Sequence, residues 1–302
     1  MRIILIGQAA FAERVLEGLL ERGHEVVAVY CPPDAAGGKP DPVKVRALEC
    51  GVTVFQHRSL KAPEVAREVA QLDSDLGVMA YVTQIVPAAV IDTPRHGSIC
   101  FHPSLLPRYR GGTAIPWQII RGETRTGVTV FWADAGIDTG PILLQKEATI
   151  GPDDTAGSLY YNTLFPLGVA AVLESVDLIA AGRAPRIAQD ESRATYDPLC
   201  RDEHARVDWS RPVDEVYDLV RGCDPQPGAF AMRGADKIRL YDTRKLKRTD
   251  VAPGVIGEIG EAGMVVGAAG GAIRIGRVRA NGKKAPAAEA AAAVGLAAGQ
   301  RL

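Results

Sequence analysis

The sequence predicts an α/β protein in which a mostly parallel sheet, covered by helices on both faces, is followed by a small β-barrel. Three observations lead there. Through the first half, short apolar runs alternate with stretches of helical periodicity, the texture of repeated βαβ units. Beyond residue 195 the pattern changes to brief apolar runs separated by glycine clusters, which suits a small barrel. Between the two, residues 183–206 form a polar connector containing Pro185, Asp190, Glu191 and Ser192, so domains are expected at 1–196 and 204–302.

Taken in order, residues 3–7 (Ile-Ile-Leu-Ile-Gly) form an uninterrupted apolar run ended by glycine, as expected of a strand buried on both faces. A helical pattern at 11–21 follows, then a strand at 26–30, a helix at 43–49, a strand at 52–56, a helix at 65–72 and a strand at 76–82. Residues 98–102 read as a buried strand that breaks into a loop punctuated by Pro and Gly, and 128–132 as a second strand breaking at Asp134. Over 155–181 the apolar residues Leu159, Leu164, Leu167, Ala170, Leu173, Val176 and Ile179 predict one long helix, kinked or broken at Pro166. A short helix at 213–220 then precedes strands at 229–232, 238–241, 255–259, 264–266 and 272–278. The alanine-rich stretch 285–298 is expected to be a turn or short helix that closes the barrel.

With 302 residues, 47% of them hydrophobic, the chain can bury cores for two domains. Its opening apolar run is too short for a signal peptide and no stretch reaches membrane-spanning length without charge, so a cytoplasmic protein with no membrane contact is expected. Cys31, Cys50, Cys100, Cys200 and Cys223 are scattered without ligand-like spacing, which argues against disulfides and against a metal site. The first βα turn, Gly7-Gln8-Ala9-Ala10-Phe11-Ala12, lacks the second and third glycines of a dinucleotide fingerprint, which argues against NAD. Residues 1–196 carry a net charge of −4 and residues 197–302 a net of +3. The basic residues of the second half gather at Lys237, Arg239, Arg244, Lys245, Lys247 and Arg248 and at Arg274, Arg277, Arg279, Lys283 and Lys284. These clusters either contact phosphates of an acceptor or form a solvated barrel surface.

The chemistry concentrates at the predicted strand ends. His102 closes the strand at 98–102, and Asp138 lies in the loop after 128–132; in open α/β sheets the carboxyl ends of strands are where ligands bind. A lone histidine in a loop is more often structural, but a paired carboxylate that orients the ring and stabilises imidazolium is what a carbonyl-transfer site needs.

The segments Cys100-Phe101-His102-Pro103-Ser104-Leu105-Leu106-Pro107 and Asp134-Ala135-Gly136-Ile137-Asp138-Thr139-Gly140 resemble the signatures Asn-x-His-x-Ser-Leu-Leu-Pro and Asp-x-Gly-Leu-Asp-Thr-Gly of the formyltransferases that use 10-formyltetrahydrofolate. The resemblance extends from Met1-Arg2-Ile3 through Ala194-Thr195-Tyr196, Val207-Asp208-Trp209 and Pro227-Gly228-Ala229 to Gly282-Lys283-Lys284. Within the family, Pro94-Arg95-His96-Gly97-Ser98-Ile99, Phe131-Trp132-Ala133-Asp134 and Leu164-Phe165-Pro166 are most similar to the N-terminal hydrolase domain of 10-formyltetrahydrofolate dehydrogenase; methionyl-tRNA formyltransferase is a further relative. The resemblance implies a Rossmann-like formyltransferase domain with an OB-like second domain, 10-formyltetrahydrofolate as formyl donor, and His102 and Asp138 as catalytic residues. It also implies a folate site formed by Met79, Tyr81, Val82, Gln84 and Ile85 on one side and Asp134, Ala135, Gly136 and Ile137 on the other. Ser104 and Arg110, on the loop after His102, are candidates for holding substrate, Arg110 through a carboxylate or phosphate; the bland alternative for Arg110 is a solvated charge.

One departure stands out. Cys100 occupies the place of the family's asparagine, and a thiol is too weak a donor to replace an amide beside a developing oxyanion. Cys100 is either apolar filling on a buried strand or a catalytic nucleophile that takes the formyl group as a thioester with His102 as its base. The dehydrogenase's hydrolase domain also lacks that asparagine. The expected reaction is formyl transfer to an amine or to water; methionyl-tRNA held by the basic second domain, or a folate-binding module without turnover, are the alternatives. Against tRNA, Cys31-Pro32-Pro33-Asp34-Ala35-Ala36-Gly37-Gly38-Lys39-Pro40-Asp41-Pro42 is short and nearly uncharged where the tRNA enzymes carry a longer basic insertion.

Overall fold

The computed structural model of the chain describes residues 1–280 and 282–302. In chain order the elements are β1 (Arg2–Gly7), α1 (Ala9–Glu21), β2 (Glu25–Cys31), α2 (Pro42–Glu49), β3 (Thr53–Gln56), α3 (Pro63–Gln71), β4 (Leu76–Ala80), α4 (Ala88–Ile91), β5 (Ser98–His102), α5 (Ala114–Ile120), β6 (Arg125–Trp132) and β7 (Ile142–Thr149). A helical run follows as α6 (Ala156–Leu159), a π turn (Tyr160–Leu164) and α7 (Phe165–Ala180); then come α8 (Val213–Gly222), β8 (Phe230–Arg233), β9 (Asp236–Leu246), β10 (Ile256–Gly260), β11 (Gly263–Ala268), β12 (Gly271–Arg279), β13 (Ala285–Pro286) and α9 (Ala287–Val294). Contacts divide the chain into one unit of Met1–Gly112, Gly127–Ala148 and Thr163–Tyr196 and another of Thr113–Thr126, Thr149–Asn162 and Asp197–Leu302.

The first unit is built on a seven-stranded sheet in the order β3-β2-β1-β4-β5-β6-β7. Strands β3 to β5 run parallel, and β6 turns antiparallel to β5. Ile3, Ile4, Leu5 and Ile6 of β1 are buried, as an apolar run covered on both faces requires. Because β2 and β4 flank β1 on opposite sides, the order reverses beside β1, and a crevice opens at the carboxyl ends there. Gly7 is required at that point, since a Cβ would stand 2.1 Å from the carbonyl oxygen of Ala80. On one face Phe11 of α1 stacks on Phe101 of β5 at 4.3 Å and meets Phe165 of α7 edge-on at 5.5 Å. Gly168 clears the space for the Phe101 ring. The amide of Ala9 at the start of α1, where a dinucleotide fold takes a pyrophosphate, donates to the Asp41 carboxylate at 2.9 and 3.0 Å.

The long helix expected over 155–181 is one helical run with a π turn immediately before Pro166. Proline offers no N–H to the carbonyl four residues back and crowds it, and a widened turn relieves both. By length and composition Ala156–Ala180 is apolar enough to cross a membrane, but half of its most apolar window is buried and Leu159, Leu164, Val172 and Val176 are core residues.

The second unit is an antiparallel β domain. Its sheet follows the order β10-β11-β12-β9-β8, with β13 added beside β12. Inward-facing Ile238, Leu240, Met264, Val266, Ile273 and Ile275 close on Trp209 and on Val216, Tyr217 and Val220 of α8. The alanine-rich tail forms β13 and α9, burying Ala287, Ala290 and Ala291, and ends at Gly295 in the left-handed conformation that favours glycine. The division differs from a single cut between 196 and 204. Thr113–Thr126 and Thr149–Asn162 belong with the second unit. Gly222 of α8 admits Ile120 and Pro116 of α5 to close approach, a tertiary match that a local apolar pattern does not encode.

Candidate active site

Strand alternation decides what β5 presents. Phe101 points into the aromatic layer with Phe11, while Cys100 and His102 point to the opposite face. His102 is 5% exposed, at the last position of the strand. Its Nε2 lies 2.7 Å from the carbonyl oxygen of Tyr109, so that nitrogen carries the hydrogen and donates. The other nitrogen, Nδ1, then faces Asp138 Oδ2 at 3.5 Å. That carboxylate oxygen accepts the amide of Gly111 at 2.7 Å. Asp138 has a φ of +56°, in the left-handed region a non-glycine residue enters only when surroundings hold it there.

Those surroundings are specific. The Asp134 carboxylate accepts from the Gly136 amide at 3.0 Å and from Thr139 Oγ1 at 2.7 Å, folding the loop tightly. Tyr196 donates its hydroxyl to the Ile137 carbonyl at 2.6 Å, and Gln189 donates to the carbonyls of Asp138 and Gly140. Gly140 is needed because a Cβ would stand 1.7 Å from the Trp132 carbonyl oxygen. Ala135, Gly136 and Ile137 remain exposed, Ile137 at 59%.

The loop after His102 is held as firmly. Thr129, opposite His102 in the β5–β6 register, donates to the Ser104 carbonyl at 2.6 Å and accepts from the Leu106 amide at 3.1 Å. Ser104 is fully buried and donates to the Arg108 carbonyl at 2.6 Å, so its hydroxyl is spent on the loop rather than offered to substrate. Arg110 is 2% exposed and its guanidinium is bound to Gln189 and Glu191. This is neither the free anion holder nor the solvated charge that its loop position suggests: the partners sit about eighty residues downstream, beyond the reach of local reading.

Met79 ends among the apolar residues of β4, packed with Ile4, Ile6 and Tyr30. Tyr81 takes a φ of +60° and is largely exposed, as is Ile85, and Tyr81, Val82 and Gln84 line a cleft with Ile6, Gly7, Gln8 and Leu60. The Gln84 side chain is bonded to the Leu60 amide at 3.2 Å and the His57 carbonyl at 3.4 Å. Sequence reasoning missed Gln189, Thr195 and Tyr196 as supports of the site. The available signal was the run Ala194-Thr195-Tyr196, which belongs to no predicted element.

Cys100 packs at the margin of the apolar cluster around Ile4, Ile6 and Met79. Burial, and secondarily the negative charge of Asp138, push its thiol well above the ordinary range. A scarce thiolate is a poor nucleophile, the opposite of what a thioester intermediate demands. Cys100→Ala is therefore expected to keep most of the activity and to lose about 1 kcal/mol of stability. A rate loss of a hundredfold in that variant, with formyl label on the Cys100 peptide of the parent, would reinstate the nucleophile.

His102 at the carboxyl end of β5 in a parallel-rich sheet, facing Asp138 from the loop after the antiparallel β6, is an arrangement that carbonyl group transfer can use. The chain belongs to the formyl transferase family: residues 1–172 match the formyl transferase domain and residues 200–294 the formyl transferase C-terminal domain. It is 40% identical over its whole length to methionyl-tRNA formyltransferase from Geobacter sulfurreducens, covering 96% of that protein. It is 42% identical to the cytosolic 10-formyltetrahydrofolate dehydrogenase of Xenopus tropicalis over 80% of its own length but only 27% of the relative's, so it spans about a quarter of that protein. Among solved structures, HypX from Aquifex aeolicus in complex with tetrahydrofolic acid superposes with a TM-score of 0.72 at 23% identity, over 96% of this chain and 47% of that one. An N-formyltransferase from Helicobacter canadensis, in complex with folinic acid and dTDP-3-aminofucose, gives 0.69 at 19% identity over 91% and 98%. At such identities the likeness shows the fold alone.

Proposed function

We propose that the protein transfers the formyl group of 10-formyltetrahydrofolate to the amine of methionyl-tRNA, with His102 and Asp138 as the catalytic pair. The observation that carries the mechanism is the placement of His102 between two acceptors, Tyr109 O at 2.7 Å and Asp138 Oδ2 at 3.5 Å. With Nε2–H committed to Tyr109, the lone pair of Nδ1 is the free base of the site. The attacking amine forms a bond to the formyl carbon, and its proton passes to Nδ1. The imidazolium so formed lies beside the Asp138 carboxylate, which stabilises it. The same proton returns to N10 of the folate as the bond from that nitrogen to carbon breaks. The exposed loop 135–137 and the cleft at Tyr81, Val82 and Gln84 supply surfaces for the folate. Position 100 contributes no amide to the oxyanion.

The full-length relative supports the tRNA amine as acceptor. A second reading, hydrolysis to formate, is favoured by Cys100 in the place of the family's asparagine and by the identity to the dehydrogenases. The experiment is to supply 10-formyltetrahydrofolate labelled in its formyl carbon, with and without methionyl-tRNA, and follow the label: formylmethionyl-tRNA supports the first reading, formate at an equal rate without tRNA the second.

The charges of the second unit sharpen the test. Asp202 binds both Lys237 and Arg239, Asp214 binds Lys245, and Arg248 is paired with Asp250 and Glu258. Among the described residues, Lys247 and Lys283 have no ion pair and offer their full charge. Joint Lys247→Glu and Lys283→Glu substitution is expected to weaken reaction with tRNA at low salt and to flatten its salt dependence, with hydrolysis unchanged. An unaltered tRNA rate at low salt would count against phosphate contact by these residues.

A further inference from the structure

The short segment from Gln189 to Tyr196 reaches both partners of the His102 ring. On one side Thr195 accepts the Tyr109 amide through Oγ1 at 2.7 Å and the Arg110 amide through its carbonyl at 2.9 Å, fixing the peptide whose carbonyl orients His102. On the other side the Gln189 amide nitrogen donates to the carbonyls of Asp138 at 2.9 Å and Gly140 at 2.7 Å, and Tyr196 holds Ile137. The orientation of the Gln189 amide is itself set, because its oxygen accepts from Arg110 Nε at 3.2 Å and Nη2 at 2.7 Å. Arg110 is fixed in turn by two bonds to Glu191, at 2.9 and 2.6 Å. Upstream, Ile187 is tied to Ile142 by reciprocal backbone bonds of 2.7 and 2.9 Å, which anchors the segment to the sheet.

Every hydrogen-bonding atom of the Gln189 side chain is thus used, and its two donors pin the carbonyl of Asp138, whose backbone is held at positive φ, and that of Gly140 two residues on. Buried backbone carbonyls need donors in any fold, and that need alone accounts for one such bond. It does not account for an amide that pins both the residue facing the His102 ring and the glycine two residues on, and whose acceptor is locked by a buried guanidinium.

We propose that Gln189 is a positioning residue for formyl transfer, holding the Asp138 carboxylate against His102 Nδ1 without touching any reacting atom, with Arg110 and Glu191 keeping its amide in the productive orientation. The proposal rests on the His102–Asp138 mechanism. Loss of the Gln189 donors frees the 134–140 loop, and a displacement of the carboxylate by about 1 Å is enough to cost on the order of 10²-fold in rate.

The test uses Gln189→Ala and Gln189→Glu, each in the parent and in Asp138→Ala, under steady-state conditions with 10-formyltetrahydrofolate and the acceptor the parent uses. Glutamate keeps the length and the acceptor for Arg110 while removing both donors. In the parent, both variants are expected to lower kcat by ~10²-fold with little change in KM for the donor. In Asp138→Ala they are expected to have no further effect, because a residue that acts through Asp138 has nothing left to position. A foldable Gln189→Glu with parental kcat overturns the proposal, and so does an equal fold-loss in both backgrounds, which marks a merely structural role. If Asp138→Ala itself retains parental activity, it is the underlying mechanism that fails, and the two failures are told apart by that single variant.

Discussion

Replacing His102 by glutamine is expected to lower formyl transfer ~10²- to 10⁴-fold, the usual worth of a positioned general acid–base. Glutamine is the informative choice. Its amide can still donate to the Tyr109 carbonyl, a buried acceptor that alanine would leave unsatisfied at a cost of about 1–3 kcal/mol. Stability should therefore be nearly retained while the base is lost, and a folate analogue should still raise the melting temperature, since none of the surfaces assigned to folate is altered. Rate and thermal shift measured on one preparation check both halves. A His102→Gln protein that turns over at the parental rate would remove the ring from the mechanism, whatever the fate of Asp138.

The largest stability effect is expected from Phe11→Ala. The ring is 1% exposed and stacks on Phe101 at 4.3 Å while meeting Phe165 edge-on. Truncating a buried phenylalanine costs about 3–5 kcal/mol, and the lost aromatic pairs fall within that range. Against a total stability of order 5–15 kcal/mol this is a large share. Phe101 immediately precedes His102, so a relaxed aromatic layer also loosens the strand end that presents the ring. Urea unfolding of parent and variant should show the midpoint falling without a change in slope; a loss below about 1 kcal/mol would mean that the layer repacks around the gap.

What the sequence disclosed, and what it withheld, divides along the range of the interactions involved. The strand ending at His102 and the loop carrying Asp138 were legible because apolar runs broken by Pro, Gly and Asp are local signals. So was the βα alternation that makes the sheet. The π turn was half legible: Pro166 announces a disturbance, but whether the helix breaks or widens depends on the packing of Leu164 and Val172. The roles of Ser104 and Arg110 were not legible, because a loop residue's partners are chosen in three dimensions. Arg110 looks solvent-facing in sequence and becomes buried only because Gln189 and Glu191 return to meet it. The membership of α5 in the second unit was hidden for the same reason, its apolar residues being equally suited to either core.

The positive φ of Asp138 has a practical consequence. Most side chains placed there would strain the loop, but asparagine, like aspartate, is among the few non-glycine residues that tolerate left-handed backbone, and it matches aspartate in shape. On the proposed mechanism Asp138→Asn is therefore expected to give a nearly isosteric, inactive protein that keeps the loop while lacking the carboxylate charge beside His102. Such a protein is the natural vessel for crystallography of the intact, formylated folate with its acceptor alongside, a complex that the competent enzyme would consume before crystals could be frozen.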